Sequence, residues 1–556
     1  MTSLLRISAR GLVTARRLAA TRASVAVRVL AVFWRLAATR GLQVALSVAV
    51  TLAGSPLAAQ KLPPGVTHEI DSLYRAFATE NHLPGIAYSI VLDTSLAWSG
   101  AIGYSNLADS TPVTVSTAFR AASMTKSFTA LAILRLRDEG KLRLDDPVSR
   151  WLPEIDSLRY LSDDAPVLTI RHLLTHTGGF PQDDPWADRQ LGTTEEELSE
   201  MIREGLSMSN VPGITYEYSN LGYTLLGRII KAVTGKSYQS YIDSVVFKPL
   251  GMRSTVWEYD DLPEGVMAHG YRYREGEWSE EELLHDGPFG AMGGLISTAG
   301  DFARYAIMHL SAWPPRNRTG VRPQGDGPEG ILTVDKTGGV PLKRSSLREM
   351  QSPSSGVSYS SSTLYPGGPE CHVIVAYGYG LRWSLDCRER RKIYHNGGLP
   401  GFGSNWTIMP DYGVGVVAFS NRTYGSTYTV NQKVLELLIA SLELKPRSPA
   451  ITDILRTRKN DLLRIMPEWN AEGTGEIFSD NFFIDNPVEE LREETARIFQ
   501  AAGTITDVKE IIPENNLRGS FVMDGMNGTI TVRFTLTPER SPRIQSFSIS
   551  LNKKNN

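Results

Sequence analysis

Segments that would span a membrane, cradle a nucleotide or hold zinc are what this 556-residue chain lacks. The apolar stretch Leu42 to Ala53 is about a dozen residues long, short of the roughly 20 that a spanning helix needs. No stable transmembrane span is therefore expected in the mature chain. No G-x-x-x-x-G-K-S/T loop occurs, so no nucleotide cofactor is implied. His172 and His176 have the i,i+4 spacing of a zinc pair, but Leu-Leu-Thr lies between them and no Glu follows His172. They read as structural, and no metal is expected. A G-x-S-x-G elbow is also missing, which removes the central feature of the α/β-hydrolase arrangement. Cysteine is scarce: Cys371 and Cys387 either join in an oxidising compartment or remain two buried thiols. Nor is there an excess of positive charge. The formal charge is −2, of which the first 59 residues supply +8 through eight Arg, leaving −10 for the rest. Such a mildly acidic body argues against nucleic-acid binding.

What is present is a set of three short motifs in order: Ser123-Met124-Thr125-Lys126, Tyr218-Ser219-Asn220 and His395-Asn396-Gly397-Gly398. From Ser123 to Glu139 there is neither Pro nor Gly, and Gly140 follows, so one helix is predicted with Ser123 in its first turn. Residues three apart on a helix share a face, which brings the Lys126 amine to the Ser123 hydroxyl. The helix dipole at that end favours a developing oxyanion. Phe128, Leu131, Ile133, Leu134 and Leu136 make the helix apolar nearly all round. Such a helix is buried, which disfavours the ammonium form of Lys126 and frees its amine as a base.

Tyr218 and Asn220 stand in a loop entering a helix, after Pro212-Gly213 and before the apolar stretch Leu221 to Val233. A phenol beside a lysine ammonium loses its proton more easily, so Tyr218 is a candidate to accept the serine proton and pass it to the leaving group. Tyr216 lacks an Asn two residues on. The third motif reads as an antiparallel hairpin with a glycine-lined rim, and glycine permits close backbone approach to a ligand. The Gly398 N–H is then a second oxyanion donor beside that of Ser123.

These residues resemble the serine β-lactamase and penicillin-recognising DD-peptidase superfamily, in the class C-like branch with S-x-x-K, Y-x-N and K-T-G or H-x-G boxes. The resemblance runs from about Leu62 to Leu444 and includes the connecting text His172 to Gly179 and Gly293 to Thr298. It implies a nucleophilic Ser123, proton transfer shared by Lys126 and Tyr218, and an Asn220 that binds the acyl-side amide. His395, Gly397 and Gly398 then complete substrate binding. The implied activity is a serine hydrolase that forms an acyl-enzyme and acts on esters, D-amino-acid amides or small peptides, without cofactor. The alternative is a β-lactamase or a non-catalytic penicillin-binding sensor. His395 departs from the K-T-G form: a histidine is only partly protonated near pH 7, so a substrate carboxylate is held less firmly. Asn396 stands where a hydroxyl residue is common. A literal Lys336-Thr337-Gly338 lies in the Pro- and Gly-rich stretch Pro314 to Pro341 and reads as loop.

Residues 1–59 read as a targeting leader, with Pro56-Leu57-Ala58-Ala59-Gln60 resembling a signal-peptidase site. Export to the periplasm or beyond is expected, with a mitochondrial transit peptide as the alternative. Residues 60–445 are expected to form an α+β domain, an antiparallel sheet flanked by helices with a mainly helical subdomain. Helix is predicted from Val66 to Thr79 and Asn431 to Leu442, and strand from Ile86 to Leu92 and Ala97 to Tyr104. After Lys445-Pro446-Arg447-Ser448-Pro449 a separate small α+β module, weakly resembling the NTF2-like cone fold, is expected over 446–556, with a helix to Ala502 and strands at Thr529 to Leu536 and Phe547 to Leu551. Substrate specificity is assigned to the loops Asp183 to Gly192 and Tyr271 to Gly287.

Overall fold

The computed structural model describes residues 62–314, 341–362, 370–469 and 474–553. The leader and the Lys336-Thr337-Gly338 segment lie outside them. The fold is α+β, built on a nine-stranded antiparallel sheet. Its strands in chain order are β1 (Gly85–Leu92), β2 (Ser95–Asn106), β3 (Thr111–Pro112), β4 (Ser355–Ser362), β5 (Cys371–Tyr377), β6 (Arg382–Asp386), β7 (Arg391–Leu399), β8 (Phe402–Met409) and β9 (Val414–Ser420). Across the sheet they run β3-β2-β1-β9-β8-β7-β6-β5-β4. Strand β1, buried along its whole length, pairs with β9, so the two ends of the domain meet mid-sheet.

Both faces of that central region are covered, so β1, β8 and β9 are buried at every position instead of at alternate ones. On one face lie α1 (Pro64–Glu80) and the late helix Tyr428–Ser441, packed through Ile70, Tyr74, Val434 and Leu438. On the other lies the larger core around α2 (Lys126–Asp138), α3 (Asn220–Thr234) and α4 (Ala299–Leu310). Pro64 opens α1 in the first turn, where its missing N–H costs nothing. Gly235 closes α3 in the left-handed conformation with φ 71°.

Cys371 and Cys387 are joined, with their Cα atoms 5.4 Å apart. The bridge ties the start of β5 to the turn after β6. Beyond residue 449, a five-stranded sheet (Ile505–Val508, Ile512–Asn515, Arg518–Gly525, Gly528–Leu536, Ile544–Lys553) packs with helices Asp453–Ile465 and Val488–Ala502. This segment has its own buried core, with Trp469, Phe478, Phe482, Phe521 and Phe534 at its centre. Among the described residues no helix is long and apolar enough to cross a membrane.

Candidate active site

The turn carrying Ser123 differs from expectation in one detail. Ala122–Thr125 forms a 3-10 turn, and the α-helix proper begins only at Lys126. The reason is local: Ala122 is held at φ 52°, and the Thr125 hydroxyl donates to the Ala122 carbonyl at 2.7 Å, tightening the turn. Ser123 is thereby left half-exposed at the head of a helix whose next nine residues are all buried.

That turn is clamped from two sides. The Ala121 N–H donates to Leu295 O at 2.7 Å, and the Leu295 N–H donates to the Thr125 hydroxyl at 3.2 Å. This gives the Gly293 to Thr298 text its purpose. From the sheet, Ser404 Oγ donates to Ala121 O at 2.9 Å. Gly397 of β7 lies so close that a Cβ there would sit 2.3 Å from Ala121 O and 2.1 Å from Ser404 Oγ. Only glycine lets the strand approach the turn this closely.

Lys126 is 0% exposed, and its three ammonium protons have three acceptors: Ser123 Oγ at 3.0 Å, Asn220 Oδ1 at 2.6 Å and Met292 O at 2.9 Å. Burial lowers its pKa from 10.5 to about 8, against the opposing pull of Asp184, Asp188 and Asp183. Tyr218 lies beside Ser123, close enough for the two side chains to interact. Its hydroxyl is pushed well above the ordinary phenol value, first by burial and then by Tyr377 and Asp184. The expected easing toward phenolate does not occur. Lys126 Nζ lies over the Tyr218 ring, 4.9 Å from its centre, so it meets the π-face rather than the oxygen.

The loop carrying Tyr218 is fixed by His176, whose carbonyl accepts from Glu217 N at 2.8 Å and whose Nδ1 accepts from Ser219 N at 3.1 Å. Its ring stacks obliquely 4.3 Å from that of Tyr218. His172 caps its own helix instead, its Nδ1 accepting from Thr169 N at 3.2 Å. Ser219, not Asn220, is the N-cap of α3. Asp183 supports that helix end, accepting from Asn220 N and Leu221 N at 2.7 Å each.

His395 is buried, with Nε2 in contact with the Tyr377 hydroxyl at 3.1 Å and Nδ1 with Asn396 O at 2.6 Å. Burial, then Arg382 and Lys126, hold its pKa well below the ordinary 6.5. The expectation of partial protonation is corrected: the imidazole is neutral at pH 7. The positive charge of this wall belongs to Arg382, whose guanidinium lies 5.7 Å from the centre of the Tyr218 ring. Pairing of β6 with β7 covers only Arg391 to Tyr394, so from His395 to Leu399 that edge of β7 is left without a strand.

These groups line one cavity of about 760 Å³, whose wall includes Ser123, Tyr218, Arg382, His395, Asn396, Gly397 and Gly398 together with Asp184, Asp188 and Tyr424. All three motifs therefore meet at one place, with Lys126 and Asn220 just behind the surface. Tyr216 also reaches the cavity. Of the two loops assigned to specificity, Asp183 to Gly192 supplies wall residues. Tyr271 to Gly287 supplies none; its hairpin (Gly270–Arg274 with Glu277–Glu281) instead holds Arg189 and Thr423 through Glu281. Arg382 and Tyr424 carry no signal in the sequence as site residues, while Asp183 and Asp188 are covered only as members of the loop assigned to specificity and His176 only as part of the connecting text. Among the described residues no group of three or more His, Cys, Asp or Glu is arranged to hold a metal ion.

Comparison with known proteins agrees with this geometry. The family model described as Beta-lactamase matches residues 70–441. Beta-lactamase-like protein 2 of Dictyostelium discoideum is 32% identical over 252 residues, 44% of this chain and 46% of that protein. A penicillin-binding protein of Bacillus subtilis (strain 168) is 28% identical over 334 residues, 59% of this chain and 66% of that one. The match thus spans under two thirds of either relative's length. The octameric penicillin-binding protein homologue from Pyrococcus abyssi shares the fold, with a TM-score of 0.54 and 21% identity over 88% of this chain and 96% of its own.

Proposed function

The chain belongs to the beta-lactamase family, and from that premise we propose that it is a serine hydrolase acylated on Ser123, acting on esters, D-amino-acid amides or small peptides. The observation that carries this reading is the buried Lys126 amine 3.0 Å from Ser123 Oγ, with Tyr218 in the same cavity wall. Lys126 titrates near 8, so about a tenth of it is neutral at pH 7. In that form it takes the Ser123 proton as Oγ attacks the substrate carbonyl carbon. The N–H groups of Ser123 and Gly398 receive the oxyanion, and the free edge of β7 leaves the second of these open to substrate. Tyr218, a neutral phenol, gives its proton to the departing oxygen or nitrogen, and the proton that Lys126 took returns to it by way of solvent in the cavity, since the amine faces the ring and not the phenol oxygen. Water then releases the acyl group by the reverse proton path.

A second reading, carboxypeptidase or β-lactamase action, is favoured by one observation. Arg382 places a permanent positive charge in the wall beside Tyr218, where a substrate carboxylate can dock even though His395 is neutral. Export is proposed with either reading, and the Cys371–Cys387 bridge supports it, since such bonds persist in oxidising compartments.

The test is a panel of p-nitrophenyl esters, D-alanyl amides and nitrocefin, with mass spectrometry of the acylated protein. Ser123→Ala is expected to lose at least about a thousandfold in kcat/KM on every substrate the native chain cleaves. Full retention of activity would remove Ser123 as nucleophile.

A further inference from the structure

Three aspartates follow the His176 loop, and they are used differently. Asp183 is occupied by the helix N–H groups of Asn220 and Leu221. Asp184 is exposed in the cavity wall, where one oxygen accepts from the Asn220 amide. Asp188 stands in the same wall yet is only 2% exposed. Its Oδ2 accepts from the Tyr424 hydroxyl at 2.9 Å, and its Oδ1 has no hydrogen-bond partner. Burial, with the charge of Asp184 adding to it, raises the Asp188 carboxyl to about 6. The neighbouring Arg189, which could have neutralised this pair, turns instead to Glu281 at 3.2 Å.

Two carboxylates in one cavity wall, one of them buried with an unused acceptor, are costly unless a cation arrives. An ammonium group fits the need: compact, carrying three donors, and attracted to the paired carboxylates. The position along the substrate follows from Asn220. Its side-chain oxygen accepts from Lys126 while its nitrogen donates to Asp184, so the aspartates lie on the side of Ser123 where Asn220 is expected to hold the acyl-side amide. Arg382 lies in the part of the wall formed with Tyr216 and Tyr218.

We propose that Asp184 and Asp188, with Tyr424, form an ammonium subsite on the acyl side of Ser123, so that preferred substrates carry a protonated amine on the acyl group, as amino-acid amides and peptides with a free amino terminus do. The proposal rests on the serine-hydrolase reading and narrows its substrate class. Asp188 and Asp184 are then specificity-determining residues, and Tyr424 positions Asp188.

The experiment compares the p-nitroanilides of D-alanine and D-phenylalanine with their N-acetyl counterparts, in the native chain, Asp188→Asn and Asp184→Asn. The native chain is expected to favour the free amine at least tenfold in kcat/KM, and each variant to cut that ratio at least tenfold, mainly through KM. Asp184 is exposed, so its variant keeps the test usable if the buried substitution impairs folding. A native preference for the acetylated compounds overturns the subsite, as does a loss shared equally by both substrates. A shifted pH midpoint with an unchanged ratio also overturns it, since the aspartates would then act only by tuning Lys126. Ser123-dependent acylation by p-nitrophenyl butyrate is followed in parallel. If it proceeds while the amine ratio is flat, the subsite alone fails; if neither ester nor anilide acylates Ser123, the hydrolase reading fails with it.

Discussion

At the scale of single residues, the site turns on which group sheds a proton near neutrality. Lys126, lowered by burial to about 8, is that group, while the Tyr218 phenol is pushed the opposite way. Acylation measured by stopped flow is therefore expected to rise about tenfold between pH 7 and pH 9, with a midpoint near 8, as the amine becomes neutral. A flat profile would exclude Lys126 as the base. The linkage has a matching sign: the folded pKa lies below the unfolded value, so Lys126 weakens the fold fully below about pH 8 and that cost fades as pH rises toward 10.5. Tyr218→Phe is expected to lower kcat at least about a hundredfold while KM changes little, because the phenol moves a proton rather than holding substrate. Equal loss in both parameters would assign it to binding instead. Ser123 and Lys126 were legible because helical spacing alone brings them together. Arg382 was not, and Asp188 only as one member of the loop assigned to specificity, since tertiary packing carries both to the cavity and no spacing relates them to the motifs. The expectation about Tyr218 failed because it weighed the lysine's charge and left out the cost of burying a phenolate.

At the scale of elements, the decisive contact is strand β7 against the turn carrying Ser123. Gly397→Ala would place a methyl group 2.3 Å from the Ala121 carbonyl, so strand and turn must separate. We expect a stability loss of about 1–3 kcal/mol by thermal melting, and a fall in kcat that exceeds what the unfolded fraction explains. Unimpaired turnover would show that the approach is not needed for catalysis. The two flanking helices and the paired strands could be read from apolar period and from Pro and Gly punctuation. The short 3-10 turn at Ser123 could not, because nothing in the sequence marks the positive φ at Ala122 or the bonds that hold the neighbouring Ala121 to Leu295 and Ser404 far along the chain. The link between Cys371 and Cys387, left open by the sequence, is settled by β5 and β6 lying side by side.

At the scale of the whole molecule, the described residues contain a large core on each face of the nine-stranded sheet and a distinct one beyond residue 449. A change of composition was visible at Lys445 to Pro449, while the role of the last segment was not, since no chemical motif marks it. Trp469 is buried in that last core, its indole donating to Thr495 Oγ1 at 3.0 Å. Trp469→Ala is expected to cost its own core about 3–5 kcal/mol and leave the acylation rate of Ser123 unchanged. Calorimetry should then show a low-temperature transition split from the main one. A single transition that moves as a whole would mean the cores unfold together. Strand β1 has a different dependence: Ile86 finds its partner only at Ser420, more than three hundred residues later. On the ribosome, the emerging amino-terminal hairpin of β1 and β2 must wait, one edge bare, until nearly the entire catalytic portion has been translated. Maturation of this protein is consequently a race between completing synthesis and aggregation of that waiting edge, and chaperones that mask exposed strands should decide its yield.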